Sequence, residues 1–153
     1  MKKVPQQKEL KDLLGPSKFS GDGYMGTDSR TPESIIEDDR LFIEQSGFTT
    51  EQLAESLKDA LKKAVDALGD PVDLLPGVTA VHYESRGKIP SPFRGDGLFQ
   101  KGEVVVNDSK SGKKMIITPL GINLIEKHDF FQGRGSRYRI EPEDIIVIFN
   151  LQK

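Results

Sequence analysis

The stretch from Thr49 to Leu68 constrains the fold most. Leu53, Leu57, Leu61, Ala64, Val65 and Leu68 recur at three- and four-residue intervals, which puts them on one stripe of an α-helix. Thr49 and Gln52 stand at capping-box spacing ahead of the stripe, and Gly69-Asp70-Pro71 ends it. So long an apolar stripe needs a second layer to cover it, and the remainder of the chain has to supply that layer.

A partner helix precedes it. Thr31-Pro32 pairs a capping hydroxyl with a proline at the first helical position, Ile35, Ile36, Phe42 and Ile43 share one side, and Gly47 can take the left-handed stop. After Pro76 the period changes from helix to strand. Val78–Glu84, Gly102–Val106 and Lys114–Thr118 read as three strands, the last two joined by the polar hairpin 107–113. In the first of these, Val81 and Tyr83 share one face, and Ala80 and His82 the other. Residues 89–99 carry two prolines and two glycines and read as a long connection, which Phe93, Leu98 and Phe99 pin to the core. Thr118-Pro119 repeats the helix-start device, with Leu120, Leu124 and Ile125 on the buried side and an end near His128. Glu141-Pro142-Glu143-Asp144 opens a last segment that favours a short helix, although its β-branched run 145–148 also suits a strand. The expected architecture is α+β: residues 1–18 as an N-terminal segment, a short helix or partly disordered, and residues 19–153 as one domain. In that domain a helical pair leads into a three-stranded, mainly antiparallel sheet with one or two C-terminal helices.

At 153 residues the chain suits one core. It has no cysteine, which removes disulfides, thiolate metal sites and cysteine nucleophiles together. No apolar run nears the roughly 20 residues that cross a bilayer, and no apolar stretch follows Lys2-Lys3, so a cytoplasmic location without membrane contact is expected.

The net charge of −2 conceals an asymmetry. Residues 1–75 hold 10 Lys/Arg against 15 Asp/Glu, whereas residues 86–139 hold 11 against 5. An anionic partner should therefore prefer the second half. Within it, the segment 128–139 combines glycines able to turn backbone N–H groups towards an anion with Arg134, Arg137 and Arg139, whose planar forks match phosphate or carboxylate; Tyr138 adds a stacking surface. Arg86 and Arg94 flank the connection before the second strand and extend the candidate ligand-binding set. The alternative is a helix-to-strand connection whose arginines pair with carboxylates of the acidic half.

Other signals are weaker. His128 is a candidate general acid or base, or an imidazole at a helix C-terminus; His82 lies mid-strand. Neither histidine has metal-ligand spacing, so no metal or cofactor is expected. Arg94-Gly95-Asp96 is too short to signify, residues 21–26 lack the strand and helix that a nucleotide loop requires, and Glu37, Asp38, Asp39 and Glu44 fit a solvated helix face.

Residues 26–30, 89–93 and 128–139 together resemble segments of a family of small uncharacterised prokaryotic proteins, over about residues 19–149. The resemblance implies one compact domain and no activity. In that family a histidine often stands five residues before the one matching His128; here the position is Asn123. The functional expectation is a non-enzymatic binding module that uses the basic Gly/Arg loop to hold an acidic protein surface or a phosphorylated small molecule. The alternative is a small enzyme with His128 as acid or base and the arginines as anion stabilisers. Nucleic acid is disfavoured by a pI near 5.7.

Overall fold

The computed structural model describes residues 23–153, and the expected N-terminal helix over residues 5–14 lies outside them. Capping residues set the helices. In α1 (Pro32–Gln45) the Thr31 hydroxyl accepts the Ser34 N–H at 3.1 Å, and Gly47 turns left-handed at φ +85° just beyond the C-terminus. In α2 (Thr50–Asp66) Thr49 and Gln52 complete the reciprocal capping box. Its stripe is narrower than the sequence suggests: Leu53, Leu57 and Ala64 are fully buried, while Val65 and Leu68 at the C-terminal end are exposed.

Sheet pairing goes beyond the expected three strands. β1 (Val72–Leu75) and β2 (Val78–Tyr83) form a hairpin across Pro76-Gly77, with Gly77 at φ +81°. After β3 (Lys88–Pro90) and β4 (Leu98–Gln100), β5 (Glu103–Asp108) pairs with β2, and β6 (Lys114–Ile117) with β5. The result is an antiparallel four-stranded sheet in the order β1-β2-β5-β6. β3 and β4 make a separate two-stranded hairpin where the sequence suggests only a loop. Pro90 can stand there because a proline lacking an N–H is tolerated at a strand end or edge. The hairpin's Phe93 and Phe99 pack inward, but Leu98 points into solvent at 63% exposure.

α3 (Pro119–His128) starts on Thr118, whose hydroxyl accepts the Gly121 N–H at 2.9 Å, and it ends on a left-handed Asp129. The final segment is the helix α4 (Pro142–Ile148). The main core joins α2 and α4 to the inward residues of β2, β5 and β6: Val78 and Ala80, Val104 and Val106, Met115 and Ile117. A second core, of Tyr24, Ile35, Leu120, Leu124 and Phe130, lies beneath the β3–β4 hairpin. Among the described residues no helix is long and apolar enough to cross a membrane.

Candidate functional site

The segment 128–139 is built into the protein rather than displayed on it. Its Gly133 N–H donates to the Tyr24 carbonyl at 2.8 Å, and its Arg134 N–H to Asp28 Oδ2 at 3.0 Å. The Arg134 carbonyl accepts the Thr27 N–H at 2.9 Å, and the Ser136 N–H donates to Gly133. These glycines serve close backbone approach. A Cβ on Gly133 would lie 2.2 Å from the Met25 carbonyl oxygen, and one on Gly26 would lie 2.2 Å from the Ser136 nitrogen. The N–H groups of Gly133, Arg134 and Ser136, expected to converge on an anion, already have acceptors in the protein. Asp28 secures the junction: its carboxylate also takes hydrogen bonds from Arg30, which hold it far below the usual carboxylate range.

The five candidate arginines separate into distinct situations. Arg139 is interior, its side chain only 5% exposed, and all five guanidinium N–H groups are engaged. Two meet the Asp39 oxygens at 2.9 and 3.0 Å, two meet Glu141 at 2.8 and 3.0 Å, and one reaches the Gln132 carbonyl at 2.5 Å. This corrects its placement among the ligand-binding residues, because no donor remains for a ligand. Asp39, read from the sequence as part of a solvated face, is buried for the same reason. Arg137 lies over the Tyr138 ring and pairs with Glu103 at 3.1 Å. Arg86, Arg94 and Arg134 are exposed and form no ion pair with described residues. They belong to three different segments.

A cleft of about 400 Å³ opens between the 24–27 loop, the Gly/Arg segment and the β3–β4 hairpin. The chain has three tyrosines, and all three line it: Tyr24, Tyr83 and Tyr138. Ile89 and Leu120 give it apolar wall, and Glu103 and Gln132 give it polar groups. The Tyr138 hydroxyl donates to Glu103 Oε2; burial, and then that carboxylate, keep the phenol protonated to higher pH than usual. Burial does the same for Tyr24. A neighbouring depression, lined by His82 and Arg86, shares Glu84, Ser85 and Gln100 with the cleft. Of the predicted residues, Tyr138 lines the cleft itself, Arg86 lines only the neighbouring depression, and Arg137 reaches the cleft through Glu103. Sequence reading missed Tyr24, Glu103 and Gln132 as site residues. The one signal available was the clustering in space of a scarce residue type, which sequence order hides.

His128 occupies a different place. Its Nε2 lies 2.7 Å from Asp96 Oδ2, an oxygen that also accepts the Asn123 amide at 2.8 Å and the Ser91 hydroxyl at 3.1 Å. The His128 ring stacks on Phe93 at 3.7 Å between centroids. Burial alone would raise the Asp96 carboxyl; the hydrogen bonds from His128, Asn123 and Ser91 outweigh it and leave the group below its ordinary value. The constellation clasps the tip of the β3–β4 hairpin to α3. His128 does not line the tyrosine cleft. Among the described residues no three His, Asp or Glu side chains gather as a metal site.

Comparison with protein-family models, curated proteins and solved structures gave no match to this chain.

Proposed function

We propose that this protein is a binding module that holds a small polar molecule in the tyrosine-lined cleft. The observation that carries the reading is the convergence of all three tyrosines on one concave surface. The cleft's volume falls in the range of small-molecule sites, and its tyrosine and aliphatic wall stands beside polar side chains that can orient a ligand. In this reading the Gly/Arg segment is the scaffold that delivers Gln132 and Tyr138, rather than an anion cradle.

A phosphorylated ligand retains support from two features, Lys101 in the cleft's lining and the exposed Arg86 beside His82 in the neighbouring depression. Such a ligand would place its uncharged part among the tyrosines and its phosphate outside. An acidic protein surface has less support, since Arg137 and Arg139 are already paired with carboxylates. The enzyme reading is weakened by the stacking of His128 on Phe93, away from the cleft.

The test is a thermal-shift screen of neutral heterocycles, sugars, nucleotides and inorganic phosphate, with hits followed by amide NMR. A ligand at 100 times its dissociation constant should stabilise the fold by about 2.7 kcal/mol. Resonances of Tyr24, Gln132 and Tyr138 should move, and Tyr138→Phe should weaken the response. Hits that move only residues outside the cleft would overturn the reading.

A further inference from the structure

The cleft has a donor and acceptor pattern that narrows what it can hold, provided that it is the binding site proposed above. Gln132 is only 3% exposed and sits at φ +73°, a left-handed backbone that few non-glycine residues adopt. Strained placements of this kind persist where the surroundings enforce them, and here Arg139 grips the Gln132 carbonyl. The Gln132 side-chain oxygen accepts the Ser136 hydroxyl at 2.8 Å, while its amide nitrogen meets no acceptor among the described residues. Tyr24 is 7% exposed, and its hydroxyl likewise has no partner among them. Both side chains line the cleft, so these two groups are free to meet a ligand there. Glu103 supplies the opposite need. Its two oxygens each accept one protein hydrogen bond, from Arg137 and from the Tyr138 hydroxyl, so each retains a lone pair.

We infer that the cleft takes a planar nitrogen heterocycle with a ring N–H beside a carbonyl oxygen, the lactam edge found in nucleobases. The ring N–H would donate to Glu103, the carbonyl would accept from the Gln132 amide, and the flat ring would lie against tyrosine and aliphatic walls. Other classes fit less well. An anion in the cleft would face the Glu84 and Glu103 carboxylates, with Lys101 the single cation in the lining. A cation would face the Gln132 amide donors, and Arg137 already balances Glu103.

Calorimetric titration of the full chain with hypoxanthine beside 1-methylhypoxanthine, and with uracil beside 1,3-dimethyluracil, tests the assignment. Methylation removes the ring N–H and leaves the carbonyl and ring shape. At least one parent base should bind, with its methylated form about 10-fold weaker or worse, the scale of a lost hydrogen bond to a charged group. Glu103→Leu, which has no acceptor, should remove the discrimination, and Tyr24→Phe should weaken the parent base while the melting temperature confirms a folded protein. Equal binding of parent and methylated bases would overturn the lactam assignment. A sugar or inorganic phosphate that shifts the Gln132 and Tyr138 resonances while neither base binds would overturn the ligand class but keep the cleft as a site. No perturbation of cleft resonances by any of these probes would overturn both.

Discussion

Arg139 gives the most quantitative test of how this structure is held together. Replacing it with methionine keeps much of the stem and removes five hydrogen bonds at once. The cost is governed by what is left behind. Asp39 is buried, with 9% of its side chain exposed, so its carboxylate would be stranded in the interior. Breaking a buried pair in this way costs about 3–5 kcal/mol. Glu141 is 45% exposed and returns to water, so its pairing adds at most ~1 kcal/mol and is omitted. With a urea dependence of about 2 kcal/mol/M for a domain of this size, the unfolding midpoint should fall by roughly 1.5–2.5 M. The double variant Asp39→Leu/Arg139→Met removes both buried charges together and should recover much of the loss, because apolar replacement of a whole buried pair is often neutral. Urea unfolding followed by circular dichroism reads all three variants. If Arg139→Met lies within about 1 kcal/mol of wild type, or if the two single substitutions simply add, the interior ion-pair argument is refuted.

Two further perturbations probe the junction between the 24–28 loop and the Gly/Arg segment. Gly133→Ala would push a methyl to 2.2 Å from the Met25 carbonyl oxygen, and backbone overpacking of this kind should cost about 1–3 kcal/mol in urea unfolding; a neutral result would mean that the two loops separate easily. Asp28→Asn tests the pH dependence: a carboxyl depressed in the folded state stabilises it above the unfolded pKa of about 3.9, and that stability is lost as pH falls towards the folded value. The variant should therefore be less stable than wild type at pH 7, and the difference should shrink progressively below about pH 4. A difference independent of pH would assign the effect to packing alone.

Local signals in the chain carried most of the helices and strands. Thr31-Pro32, Thr49 with Gln52 and Thr118-Pro119 all act as helix starts, because a cap depends on residues three apart and nothing beyond them. The strands β2, β5 and β6 were legible from their alternation. β1 was not, since four residues after a proline, one of them Asp73, resemble a continuation of the turn. The β3–β4 hairpin escaped for a related reason: two three-residue strands, one of them ending in a proline, gain their identity from packing on Leu120, Leu124 and Phe130, which the segment itself does not encode. For the site, Tyr138 could be picked out by its neighbours. Tyr24, Glu103 and Gln132 could not, because their relation is spatial only.

The charge asymmetry shows where the limit of sequence reasoning lies. An excess of 11 cations over 5 anions in residues 86–139 is a sum over a segment, whereas binding depends on which cations remain unpaired at a surface. Asp39 is 100 residues from Arg139 in sequence and within 3.0 Å of it in space, so the acidic helix α1 neutralises the basic segment from across the chain. Glu103 likewise takes up Arg137 from 34 residues away. What began as a candidate cationic loop is thereby turned into a scaffold: Arg139 spends its charge on Asp39 and Glu141 and its remaining donor on the Gln132 carbonyl. In the proposed function that expenditure places Gln132 at the cleft. Arg139→Met should then weaken binding there even in a variant that still folds.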